Sequence, residues 1–402
     1  MGEGSILAAL EAAGTAPAAV WGRPGSSGPR GRHTGARERY APGAGNSERR
    51  IVSPDRSPES TGLECGPVIR RALFLLRFGL AAARSPFAVD VPPGLAFAQA
   101  LERGDAAAMR EALAAHARAT SLDQAAELFA RIIDAVPRNR AFRVRYERAL
   151  ADPLWPVRET SHELFLLVPG WRYRTEPATG ADLAQVQRVL ESLALATRLA
   201  PIGENDTVEA NAVMLAAEIE RLLPEGRRLI LVSTSKGGPE THLALDRLRQ
   251  AGRAEHVAAW VNIGGLLHGT AIADYWDTWP RSWLAAIGFA FRGHHTRAIP
   301  SMATAASRAR IAASQLPAHV LVVNYLAVPR ERDLTDWTRG NYAILAEHGP
   351  NDGLTLLADA IVPQGITVAE LGFDHFFRTP DLDRRIAAMV LSVLALLGGA
   401  GS

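Results

Sequence analysis

The sequence predicts an α/β fold, a mostly parallel sheet covered by helices on both faces, and three observations predict it. From residue 160 onward, short apolar runs alternate with amphipathic helical stretches, the pattern of strands joined by crossover helices. Proline and glycine punctuate the ends of those runs, as in Pro169-Gly170 and Gly226. The composition, 48% hydrophobic and 21% charged over 402 residues, is that of a soluble globular protein long enough for one large domain with additions.

The elements follow in order. Residues 1–66 carry 12 glycines and 6 prolines without a period, and too little apolar surface to order a core, so they read as a disordered tail or a misassigned start. Residues 67–155 read as a helical extension. Residues 95–116 are rich in alanine and leucine, with Gly104-Asp105 giving a break and a cap. Residues 122–136 place Leu122, Ala125, Ala126, Phe129, Ile132 and Ile133 at helical spacing. The catalytic part is expected from 156 to 402. Its strands are predicted at 163–168, 196–202, 228–232, 256–263, 320–325 and 366–371. Helices are predicted at 181–195, 207–223 (capped by Asp206 and stopped by Gly226), 239–250 and 381–397. Active sites in such sheets lie at the carboxyl ends of the strands.

Bulk properties narrow the function. A net charge of +2 gives no reason to expect nucleic acid or an anionic surface as main partner. One cysteine, Cys65, leaves no intrachain disulfide and no cysteine-based metal site. No apolar run reaches the length of a membrane span, so no stable membrane insertion is expected. The start lacks the basic and apolar regions of a secretory signal, and residues 68–83 would resemble one only if translation began near Val68. A bacterial, cytoplasmic protein is the expectation. His294 and His295 are adjacent, so they point apart, and no carboxylates accompany them. No metal or cofactor is therefore expected.

The sharpest chemical signal is residues 229–240, LILVSTSKGGPE, a buried strand that runs into Ser233-Thr234-Ser235-Lys236-Gly237-Gly238 and then a helix. A nucleophile on such a turn needs small residues two before and two after it, and Ser233 and Gly237 satisfy that spacing around Ser235. The bland alternative is a plain strand-to-helix turn. Lys236 is the only lysine among 44 cationic residues, which suggests a local demand for an ammonium group. Residues 348–354, HGPNDGL, place Asp352 before a glycine in a turn, and residues 371–377, LGFDHFF, place His375 just past the last strand. Asp374 is a candidate cap for nearby backbone.

Together these residues resemble the lipase/esterase-like serine hydrolases of the α/β-hydrolase superfamily, whose chain order is serine, acid, histidine. The resemblance covers residues of about 160–400. It implies Ser235 as nucleophile, His375 as base and Asp352 as the acid that orients it. It also implies an oxyanion hole from the backbone N–H groups of Lys236 and Trp171, with Gly170 permitting the close approach. Pro169 stands where many members have histidine. Only strands after that fold's first two are visible, so the sheet is expected to be a trimmed version. Residues 264–274 resemble the loop ahead of a cap insertion, expected over about 271–315. Tyr275, Trp276, Trp279, Trp283, Phe289 and Phe291 would give a lid with an apolar underside, Trp276, Trp279 and Trp283 contacting substrate; ordinary packing of a cap is the alternative. The implied activity is hydrolysis of small-molecule carboxylic esters carrying an apolar group, without a cofactor. Two other readings stay open: an acyltransferase or thioesterase with the same triad, and a non-catalytic binding module that retains the fold.

Overall fold

The computed structural model describes residues 93–152, 162–290 and 296–399, which belong to one compact unit. The tail reading of 1–66, the signal-like stretch 68–83 and the histidine pair lie outside the described residues.

Strands β1 (Glu163–Val168), β2 (Ala196–Leu199), β3 (Arg228–Thr234), β4 (Val257–Ile263), β5 (Leu321–Val328) and β6 (Ile366–Leu371) form one parallel sheet in the order β2-β1-β3-β4-β5-β6. β1, β3 and β5 are apolar almost throughout because helices cover both of their faces. On one face Phe165, Val232, Val261 and Tyr325 pack against α4 (Pro137–Ala151), α5 (Ala184–Ser192) and α13 (Leu382–Gly399). On the other, Leu166, Leu231 and Trp260 pack against α6 (Val208–Leu222) and α7 (Gly237–Gln250).

The described residues before the sheet fold as α1 (Pro93–Arg103), α2 (Ala106–Ala119), α3 (Leu122–Ala135) and α4. Gly104 adopts φ +68° and the Asp105 carboxylate accepts from Ala108 N at 3.0 Å, so the α1–α2 break falls where the sequence places it. Pro137 opens α4, since its missing N–H falls among the unpaired donors of a first turn. The apolar stripe of Phe97, Met109, Phe129 and Ile133 packs on Leu326, Val328 and Ala369 of β5 and β6. These helices are thus built into the core of the sheet.

Several boundaries differ from the sequence reading. Helix 181–195 shortens to α5 because Leu183 takes a left-handed φ of 56° ahead of it. The cap of α6 is Thr207, whose hydroxyl accepts from Ala210 N at 3.2 Å, where Asp206 was expected. Helices α8 (Ala271–Asp277), α9 (Arg281–Ala290), α10 (Ala298–Ser301) and α11 (Thr304–Ala312) follow β4, and α12 (Arg339–Ala346) follows β5. Among the described residues no helix is long and apolar enough to cross a membrane.

Candidate active site

β3 delivers Ser235 to the carboxyl edge of the sheet. Its backbone has φ 52°, a left-handed conformation that costs a non-glycine residue about 1–2 kcal/mol and persists only where neighbours enforce it. The neighbours do so by hydrogen bonds: Ser235 N donates to Ile263 O at 3.1 Å, while Ser235 O accepts from Gly238 N at 3.0 Å and Leu266 N at 3.1 Å. Close approach of the preceding loop adds to this. A Cβ on Gly237 would lie 2.6 Å from Val168 O, so that position needs glycine, and one on Gly170 would lie 3.3 Å from Ser235 Cβ, a tight contact. Ser233 is fully buried and its Oγ accepts from Trp260 Nε1 at 2.8 Å, which separates its role from that of half-buried Ser235.

Asp352 is buried in a turn that its own carboxylate organises. Oδ1 accepts from Leu354 N and Thr355 N, each at 2.8 Å, and Oδ2 accepts from His375 Nδ1 at 2.7 Å. His375 N also donates to Asp352 O at 2.9 Å, fixing the two loops together. The imidazole is seated against Gly264, where an added Cβ would lie 3.1 Å from its Cε1. Asp374 holds the loop from below: Oδ2 accepts from the hydroxyls of Thr335 and Thr338 at 2.6 Å each and from Thr335 N at 2.9 Å. Thr335 and Thr338 were not singled out from sequence, because a threonine in a connecting loop carries no signal of the residue it will meet.

Ser235 and His375 line the same cavity, of about 140 Å³, together with Trp171. The Trp171 indole is pinned by Nε1 donating to Asn205 Oδ1 at 3.1 Å. Lys236 follows Ser235 and heads α7, but its ammonium turns into the protein, where it is buried and paired with Glu240. Glu240 also accepts from Asn211 Nδ2 at 2.7 Å, and burial raises its pKa above the usual carboxylate value. The isolated lysine of the sequence thus belongs to a polar network beneath the turn.

The aromatic positions read as a lid divide. Trp276 is half-buried and packs beside Trp171 and Leu266, whereas Trp279 and Trp283 are 84% and 59% exposed. None of the three is among the residues that line the cavity. The side chain of Phe289, and Phe291 as a whole, lie outside the described residues. Among the described residues no group of three or more histidine, cysteine or acidic side chains is arranged to hold a metal ion.

No family model matches the sequence, and no curated protein does. Solved structures do resemble the fold. A metagenomic carboxyl esterase aligns over 62% of this chain and 80% of its own, at 22% identity and a TM-score of 0.50. The chain has the α/β-hydrolase fold. The mature form of a lipase from Bacillus licheniformis aligns over 61% of this chain and 96% of its own, at 20% identity and a TM-score of 0.45.

Proposed function

We propose that the chain is a serine hydrolase that cleaves small carboxylic esters through an acyl-enzyme on Ser235. The observation that carries this reading is the His375–Asp352 pair at 2.7 Å, with the imidazole and the strained Ser235 facing one cavity. A serine hydroxyl is a weak nucleophile unless a base takes its proton as it attacks. With Nδ1 bound to Asp352, Nε2 is the ring nitrogen left for that task. Ser235 Oγ bonds to the ester carbonyl carbon and its proton passes to Nε2. The carbonyl oxygen becomes an oxyanion, held by the N–H groups of Lys236 and Trp171. Collapse expels the alcohol, which leaves with the proton from Nε2. Water then repeats the sequence, releasing the acid and restoring the serine. Asp352 keeps the imidazole in the correct tautomer and stabilises its cation.

The test is labelling by a fluorophosphonate probe, with the modified peptide mapped. Wild type is expected to be labelled on Ser235, and Ser235→Ala to lose both labelling and ester turnover while keeping its fold. Ser233→Ala is expected to retain labelling, at a stability cost of about 1–3 kcal/mol for the orphaned Trp260 N–H. A well-folded wild type that takes no label would instead support a binding module.

A further inference from the structure

The cavity beside Ser235 is not lined by the exposed tryptophans Trp279 and Trp283. Its lining passes from the carboxyl edge into the interface between the sheet and α13, on the face that carries α5. Val232 and Thr234 of β3 line it, as do Val261 and Ile263 of β4, each pair two residues apart and so on one face. From α13 come Leu382, Ile386, Met389 and Val390, spaced to form one stripe down the helix. Leu382 to Val390 is eight residues, a descent of about 12 Å, and Val232 lies three residues below Ser235, about 10 Å. Val232, Val261, Met389 and Val390, which lie further along their elements from the carboxyl edge, are all buried, so the slot reaches into the core.

Its polar members have partners. Tyr325 Oη shares a hydrogen bond with Tyr146 Oη at 3.1 Å. Arg385 is bound to Glu370 at 2.8 Å and Asp381 at 3.0 Å, with its guanidinium over the Phe373 ring. Glu176, Thr179 and Gln185 are half-buried and fall at the other end, by the loop after β1 and the first turn of α5. The slot therefore offers apolar surface below the serine and polar groups at its rim.

We infer that this slot between the sheet and α13 holds the acyl chain of the substrate, and that its depth selects straight apolar acyl groups of medium length. The inference rests on the ester-hydrolase reading above. A closed slot suits the acyl half, which stays bonded to Ser235 through both steps, whereas the alcohol must leave between them. With C–C bonds of about 1.5 Å a zigzag chain advances roughly 1.3 Å per carbon, so ~10–12 Å accommodates about eight carbons.

The experiment is kcat/KM for p-nitrophenyl esters from acetate to palmitate, on wild type and on variants of the slot floor. Wild type is expected to peak between hexanoate and decanoate and to fall at least tenfold by palmitate. Val390→Phe, which shortens the slot, is expected to lower octanoate turnover tenfold or more while leaving acetate within about twofold. Met389→Ala, which deepens it, should move the optimum to longer chains, and it stands in if Val390→Phe fails to fold. An unchanged chain-length profile in folded floor variants would overturn the assignment. So would loss of long-chain turnover on Trp279→Ala or Trp283→Ala instead, which would place the chain under the exposed aromatics. Wild type that hydrolyses none of the esters, acetate included, overturns the ester-hydrolase reading itself and this inference with it.

Discussion

Asp352 divides its two oxygens between two tasks: Oδ1 is held by the N–H groups of Leu354 and Thr355, and Oδ2 faces His375. That division makes Asp352→Asn an informative change. The backbone donors require the amide oxygen on their side, so the amide nitrogen must point at Nδ1. Nδ1 then becomes an acceptor and the proton moves to Nε2, the nitrogen needed as base. In the reading proposed here, kcat should fall by roughly 10³–10⁴ with little change in thermal midpoint, checked by ester turnover alongside a melting curve. That Asp352 would pair with His375, and His375 would share a cavity with Ser235, was legible because each stands beside a turn signal in a fixed chain order. The gripping of Asp374 by Thr335 and Thr338 was not, because it depends on packing between loops nearly forty residues apart. Lys236 was conspicuous by composition, yet its partner Glu240 was not read as one, since a carboxylate one turn along a helix is ordinarily solvated.

At the level of elements, the outer edge of β6 is the instructive case. An uncovered edge strand presents unpaired backbone groups to other chains. Here α4 covers it with side chains: Asn139 Oδ1 accepts from Thr367 N at 2.9 Å, and Arg143 Nη2 donates to Ala369 O at 2.5 Å. Asn139 is itself buried, with Nδ2 donating to Ile133 O at 2.9 Å, so it joins the end of α3 to the strand. Asn139→Ala is expected to cost about 1–3 kcal/mol, since it strands the buried Thr367 N–H, while Ile133 O keeps the N–H of Val136 as a donor. Urea unfolding measures the loss, and the Ser235 labelling rate should be unaffected. The strand positions were readable from apolar runs alone. The covering of β6 was not, because α4 has a weak apolar stripe and its function lies in two polar side chains.

For the whole molecule, buried histidines make stability depend on pH. His242 lies edge-on to Trp260, with ring centroids 6.2 Å apart, and burial pushes its pKa down from 6.5 to about 4. His268 and Arg310 push in the same direction, while Asp246 opposes them. Between those two values the unfolded chain binds a proton that the folded chain does not, so folding stability falls as pH drops through that window. At about 1.4 kcal/mol per pH unit the loss attributable to His242 is about 3 kcal/mol by pH 4. Unfolding free energies at pH 7 and pH 4.5 for wild type and His242→Gln isolate it: the variant should lose less than wild type does. Burial lowers the pKa of His268 as well, so some acid sensitivity should persist in the variant.

The first of the described helices pack against the last of the strands, and that order has a consequence for synthesis. Asn139 and its partner Thr367 are separated by 228 residues. At a ribosomal rate of about 5–20 residues per second, translating that interval takes on the order of ten to fifty seconds. For most of it, Phe97, Phe129 and Ile133 have been made while Leu326, Val328 and Ala369 have not. The nascent protein therefore carries an uncovered greasy stripe for most of its birth, and a holding chaperone would find its natural client there.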